Sequence, residues 1–398
     1  MKKLIVPALI LSLGLSLKNS LADSDTLPLN KKTQVIKESD SAEVTKKLQK
    51  GSGKTPEPVL GTEEAAVPKP RVASIGVYGT QKLNEVILKE ELGPEFEEWI
   101  KKGLAGDEKS LALEKKLIQK IQKKYQFPYA EFSVVQFFEP ENLSVHIVLD
   151  VVEAKDVETR YRFLPEPPGQ FADPDKLIQN WLEYENLGMD LVEIGEITTD
   201  SQKCPALHCP FGHEHPKLKK YESIFTQGVP KNFDKLVEIL AKDKRADYRA
   251  SAAFLLPYVT DGKKIIPPLV ERIQDPDPVV RNNAIRVLGD IAEFHPEFVI
   301  PVKPLITALN YPRSTDRSKS VYVVYMLALH SSSAREEILR DGVPNLLLLL
   351  ESKIPDQKEF AHNTLKKVSG KEFPINDVTS WKNWYAKLKK DKGLPSSK

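Results

Sequence analysis

The sequence predicts a multidomain protein in which an α+β unit is followed by an all-α repeat solenoid, and three observations carry that prediction. Apolar residues alternate with period two on either side of a helical stretch between residues 71 and 153. A four-position pattern first met at Arg249 recurs down to Val368, at the interval of a helix pair. The 398 residues, 40% hydrophobic and 29% charged, suffice for more than one core. Lysine and arginine number 58 against 56 acids, so no global basic footprint points to nucleic acid. With two cysteines, a disulfide-dense scaffold is excluded.

The N-terminus reads as an address. Lys2 and Lys3 precede an apolar run from Leu4 to Leu17, and Ser20-Leu21-Ala22 places small residues where a signal peptidase reads. Residues 1–22 therefore resemble a bacterial secretory signal peptide, which implies a periplasmic or secreted chain starting at Asp23. Cleavage removes three lysines and no acid, taking the net charge from +2 to −1. The run is shorter than the roughly 20 residues that cross a bilayer, and no transmembrane segment is expected in the mature chain. Residues 23–70 hold no aromatic side chain and are expected to form a disordered linker. Within them Gly51-Ser52-Gly53-Lys54-Thr55 is similar to the end of a phosphate-binding loop, yet the loop's first glycine would fall at Leu48 and no apolar strand precedes it.

In the unit 71–153, Ala73, Ile75 and Val77 alternate as a first strand ending at Gly79, and Leu83, Val86 and Ile87 turn to helical spacing. Leu113, Leu117, Ile121 and Tyr125 mark a second helix. Ala130, Phe132 and Val134, then Leu143 to Val151 at alternate positions, mark two strands joined by a turn at Pro140-Glu141-Asn142. Residues Pro94 to Asp107 read as a charged insertion, with Glu95, Glu97 and Glu98 on a solvated face, and His146 as an exposed strand position. The Ile75-x-Val77-x-Gly79 opening, the Tyr125-Gln126-Phe127-Pro128-Tyr129-Ala130-Glu131-Phe132 stretch and the closing Val151-Val152-Glu153 resemble a POTRA (polypeptide-transport-associated) domain. Gln126 stands where that family usually has glycine. The resemblance implies a module that binds other chains by pairing a sheet edge with an incoming strand. Tyr129 to Phe138 is the edge candidate, with Tyr129, Val135 and Phe137 as the partner-binding residues.

Residues 154–172, rich in proline near Leu164-Pro165-Glu166-Pro167-Pro168-Gly169, read as a second linker, so that two separable modules are expected. Residues 173–230 form a helical segment opened by Asp173-Pro174, with Leu177, Trp181, Tyr184, Gly188, Leu191 and Gly195 at spacings of three and four. From 231 to 398 the repeat takes over. Arg249, Ala252, Leu256 and Val259 return as Arg281, Ala284, Leu288 and Ile291, then as Arg317, Ser320, Val324 and Leu327, and finally as Lys358, Ala361, Leu365 and Val368. Asp275-Pro276-Asp277-Pro278-Val279-Val280-Arg281 is similar to the HEAT repeat, in which the aspartate caps a helix, the proline starts it and the arginine bonds a neighbouring repeat. Trp381, Trp384, Tyr385 and Leu388 line one face of a last helix, read as the C-terminal cap.

Chemistry gathers in one place. Cys204, His208, Cys209, His213 and His215 lie within 12 residues. Thiolates and imidazoles at this density suit zinc or copper, whereas in an oxidising compartment a Cys204–Cys209 disulfide is the simpler reading. No nucleophile elbow or paired-histidine metal motif is present, so no catalytic residue is assigned. These observations imply a secreted, non-enzymatic adaptor or assembly factor of the bacterial envelope, partnered by other envelope proteins and needing no cofactor. The alternative is a metal-binding or thiol-redox protein centred on Cys204 to His215.

Overall fold

The computed structural model describes residues 70–138, 143–197 and 204–392. The signal sequence, nearly all of the segment 23–70, the Gly51–Thr55 motif, the turn at Pro140–Asn142 and residues 393–398 lie outside the described residues.

The N-terminal part is a three-stranded mixed sheet with helices on one face. Strands β1 (Pro70–Tyr78), β2 (Tyr129–Phe138) and β3 (Leu143–Val152) lie in the order β1-β3-β2. β1 runs parallel to β3 with Ile75 opposite Ile147, and β2 runs antiparallel with Val135 opposite His146. Three helices cover it: α1 (Glu85–Leu92), α2 (Pro94–Leu104) and α3 (Lys109–Tyr125). The Asn84 carboxamide caps α1 by accepting from the Ile87 amide at 3.0 Å. The segment expected as a charged insertion is α2. Phe96 and Trp99, three residues apart, share one face of it and stack into the core against Phe132, while Glu97 and Glu98 stay exposed. Gly79 ends β1 at φ 98°, where a Cβ would stand 2.1 Å from the Val151 carbonyl oxygen, so only glycine fits. Gln126 ends α3 in the left-handed region at φ 55°, a conformation that favours glycine.

The remainder is a helical repeat solenoid. A short helix α4 (Val157–Arg160) leads into an extended segment, then into the hairpin of α5 (Leu177–Glu193) and α6 (Lys219–Lys231). The Asp173 carboxylate caps α5 across a 3-10 turn, accepting from the Ile178 and Gln179 amides, each at 2.9 Å. Four helix pairs follow: α7 (Phe233–Lys242) with α8 (Ala246–Leu255), α9 (Gly262–Arg272) with α10 (Pro278–Phe294), α11 (Val302–Ala308) with α12 (Ser314–His330), and, after the short α13 (Ser332–Glu337), α14 (Val343–Leu350) with α15 (Pro355–Ser369). The second helices α8, α10, α12 and α15 stack side by side, and the small residues Ala252, Ala284, Ser320 and Ala361 are buried between them. α16 (Val378–Lys392) closes the stack with Trp381 fully buried. Among the described residues no helix is long and apolar enough to cross a membrane.

Candidate functional site

The second face of the sheet is largely covered. It is seated on the edge of the solenoid where the last two repeats turn from first helix to second, and the segment that follows the sheet runs back along the edge to the first two turns. At the first turn the Gly169 amide donates to the Lys242 carbonyl at 3.0 Å and its carbonyl accepts from the Lys244 amide at 2.7 Å. At the second the Leu164 amide donates to the Gln274 carbonyl at 2.8 Å, and Phe163 lies 4.0 Å from the Arg281 guanidinium. The third receives Tyr78, whose hydroxyl donates to Asn310 at 2.9 Å, and Arg160, whose Nε donates to the Asn310 carbonyl at 3.1 Å. At the fourth, the Ser74 hydroxyl donates to the Lys353 carbonyl at 3.1 Å, and Val135 and Val148 pack on Ile354. The segment 154–172, expected as a linker between separable modules, is thus laid along the repeats.

One arginine per repeat organises this edge. Arg249, Arg281 and Arg317 each donate Nη1 to the carbonyl six residues back, at 2.8, 2.9 and 2.9 Å, closing their own turn. The first two then bond the next repeat, Arg249 to Asp275 at 2.8 Å and Arg281 to Asp316 at 2.8 Å. Arg317 bonds backwards instead. Its Nη2 donates to Asp150 Oδ1 of β3 at 2.6 Å, with both side chains almost wholly buried and the guanidinium 3.7 Å from the Tyr78 ring. The other Asp150 oxygen accepts from the Ser133 hydroxyl at 2.5 Å and the Ser314 amide at 3.0 Å. Burial pushes the Asp150 carboxyl up and Arg317 opposes it. The sheet therefore supplies a carboxylate to a ladder otherwise built from repeats, and Glu131 adds an ion pair to Arg313 at 2.7 Å.

This docking corrects the expected partner-binding residues. β2 is an edge strand, but Val135 is 1% exposed and covered by Ile354, Tyr129 is packed against the Tyr161 ring, and Phe137 lies edge-on to His146. Their side chains face the solenoid because they share a strand face with Ser133 and Glu131. His146, expected to be exposed, is 7% exposed and its Nδ1 lies 2.7 Å from the Ser74 hydroxyl.

At the Cys/His cluster the structure joins Cys204 to Cys209, with Cα atoms 5.6 Å apart. The three histidines that would complete a metal site diverge to separate partners. His208 stacks on Phe254 and lies 2.6 Å from an Asp290 oxygen; His213 lies 2.6 Å from the Tyr258 hydroxyl; His215 reaches Glu196 at 3.1 Å. Among the described residues no group of three or more His, Cys, Asp or Glu side chains is placed to hold a metal ion. The loop's role in this structure is to pin Leu207 and His208 onto the first repeat, with the Leu207 amide donating to the Pro257 carbonyl at 3.1 Å.

Charges of a different kind lie on α5, α12 and α15. Burial pushes Glu185 up to about 7 and Asp356 up to about 6, and it pushes Lys319 down to about 7, with Arg286 adding to the last. Glu114 beneath the sheet is pushed up to about 7 by burial and by Glu131. A carboxyl raised on folding contributes stability that is complete below its unfolded pKa and lost as pH rises through its folded one. His213 works against this, since burial lowers it and protonation of the unfolded chain then costs stability as pH falls. Lys319 changes its contribution chiefly above neutrality. Three carboxyls outweigh one imidazole, so the urea midpoint is expected to rise between about pH 7 and about pH 5, and Glu185→Gln to shrink that rise. A midpoint that falls over this window would contradict the assignment.

The fold and the junction define a class, a HEAT-type helical-repeat solenoid carrying a small mixed sheet on its turn edge. Residues 233–318 match the HEAT-repeat family. No curated protein matches the sequence. Among solved structures, an engineered protein is 19% identical, with 46% of this chain and 87% of that one covered at a TM-score of 0.33. A designed armadillo repeat protein in complex with a (KR)4 peptide is 14% identical, covering 56% of this chain and 92% of its own at a TM-score of 0.34. At these TM-scores the likenesses carry no inference about partners.

Proposed function

We propose that this chain is a non-enzymatic adaptor or assembly factor of the bacterial envelope, exported by residues 1–22, in which a POTRA-like unit and a HEAT solenoid present one composite surface to other envelope proteins. The element order of strand, helices, strand, strand supports the POTRA-like reading, with α2 as an addition. The observation that carries the proposal is the junction itself. One sheet face is given to helices and the other to the third and fourth repeat turns, with the segment 154–172 laid on the first two, so what the molecule offers to partners is the outer edges of β1 and β2 and the inner face of the stacked helices. Neither metal nor cofactor enters this reading, and elemental analysis of the purified protein is expected to find only substoichiometric zinc and copper.

The test is photo-cross-linking in cells from Gln136 on the edge strand and Tyr325 on the inner face. A discrete envelope-protein adduct from at least one position, with the exported chain beginning at Asp23, is the expected result. A chain that keeps Met1 and stays in the cytosol would overturn the envelope assignment, and the absence of any adduct above background would overturn the adaptor.

A further inference from the structure

Residues 158–165 bridge the third and second repeat turns. Arg160 is tied to the Asn310 carbonyl at 3.1 Å and the Leu164 amide to the Gln274 carbonyl at 2.8 Å, and the chain that joins them borders an open cavity of about 490 Å³. One wall is the half-buried Phe163, whose ring lies 4.0 Å from the Arg281 guanidinium and edge-on to Tyr311 with ring centres 5.1 Å apart. The exposed side chains of Glu158, Arg162, Gln274 and Thr307 line it together with Tyr311, which is only 2% exposed. Among the described residues Glu158 and Arg162 enter no ion pair, and the Gln274 carboxamide and the Tyr311 hydroxyl make no hydrogen bond. The Thr307 hydroxyl donates to the Lys303 carbonyl at 3.2 Å and can still accept. Burial pushes the Tyr311 pKa up, so its hydroxyl keeps its proton and remains a donor.

We propose that this cavity binds a neutral carbohydrate of one or two sugar rings, with Phe163 packing on the C–H face of a ring and Glu158, Arg162, Gln274 and the Tyr311 hydroxyl sharing its hydroxyl groups. The lining selects this class. It carries one acid and one base, so an anion meets Glu158 and a cation meets Arg162. A wholly apolar ligand would cover the Tyr311 hydroxyl and the Gln274 amide without giving them partners. A sugar supplies what both extremes lack. Its hydroxyls donate and accept at once, which suits a carboxylate that only accepts, a guanidinium that only donates, and an amide and a phenol that do both. Its C–H groups pack on an aromatic face. The volume falls within the range of small-ligand sites, and the hydrogen bonds at Arg160 and Leu164 fix the bridge to the turn carbonyls before any ligand arrives. The inference goes beyond the adaptor reading and does not depend on it.

Isothermal titration calorimetry on the full chain tests it, with cellobiose, maltose and N,N′-diacetylchitobiose as probes and with succinate, putrescine and free glutamine as anionic, cationic and zwitterionic comparators. At least one disaccharide is expected to bind with a Kd of about 5 mM or below, and at least about tenfold more tightly than every comparator. Tyr311→Phe and Gln274→Ala are each expected to weaken that disaccharide about tenfold. Both should leave the urea midpoint where it is, because neither side-chain group bonds within the protein. No saturable binding of any disaccharide up to about 20 mM, or a comparator that binds as tightly, overturns the proposal on the unaltered protein. So does unchanged sugar affinity in both variants when circular dichroism shows them folded. If the sugars fail while Gln136 or Tyr325 still cross-links a partner, the adaptor stands and only the carbohydrate site falls.

Discussion

Replacing Asp150 by asparagine is expected to destabilise the folded chain by about 3–5 kcal/mol, because it leaves the Arg317 guanidinium buried without its counter-charge. Arg317 keeps its bond to the Tyr311 carbonyl at 2.9 Å, but its Nη2 loses the carboxylate that received it at 2.6 Å. The damage falls on the junction, since Asp150 also holds the Ser314 amide at the start of α12. In the parent protein the sheet unit and the solenoid are expected to survive limited proteolysis together, and in Asp150→Asn cleavage is expected within 154–172. Replacing both partners, Asp150→Leu with Arg317→Met, is expected to cost markedly less than the two single changes added together, with a coupling of about 0.5–3 kcal/mol. Urea titration of the four proteins checks this. If Asp150→Asn costs less than about 1 kcal/mol, the ion pair does not hold the junction.

The sequence announced the repeats because their signals are local. Asp277 sits two and three residues from the amides it caps, accepting from Val279 at 2.8 Å and Val280 at 3.2 Å, and Arg281 recurs at a fixed offset from the small residue that packs beside it. The junction was hidden for the opposite reason. Arg317 was legible as a repeat position, but its partner lies 167 residues earlier in a strand whose alternation reports only that one face is apolar. Ser133, His146 and Asp150 look like the solvent face of a half-buried strand, and nothing local says that a second layer covers them. In the segment 154–172 prolines suggest a linker, whereas backbone hydrogen bonds at Leu164 and Gly169, invisible in side-chain patterning, tie it to the turns. High Glu and Lys density concealed α2, although the three-residue spacing of Phe96 and Trp99 was a signal for it. At the Cys/His cluster, proximity along the chain did not bring the imidazoles together: His208, His213 and His215 reach Asp290, Tyr258 and Glu196 instead.

The N-terminal end of the solenoid should fail first when Trp181 is truncated. Trp181 on α5 is wholly buried, with its ring centre 5.2 Å from Tyr184, 5.6 Å from Phe225 on α6 and 5.5 Å from Phe254 on α8. Phe254 in turn stacks on His208 with ring centres 4.9 Å apart, so one aromatic stack ties hairpin, disulfide loop and first repeat together. A repeat solenoid needs its terminal units covered, because an uncovered end exposes the apolar layer meant for the next repeat. Trp181→Ala opens a cavity that this many rigid rings cannot close by sliding, and a loss of about 3–5 kcal/mol is expected. Trp384→Ala, at a half-buried position of α16, serves as the comparison and is expected to cost clearly less. Hydrogen exchange separates a local from a global effect: amides of α5, α6 and α8 should lose protection in Trp181→Ala while those of α14 and α15 keep theirs. Uniform loss of protection along the chain would mean that the hairpin is part of one cooperative core instead of a cap upon it.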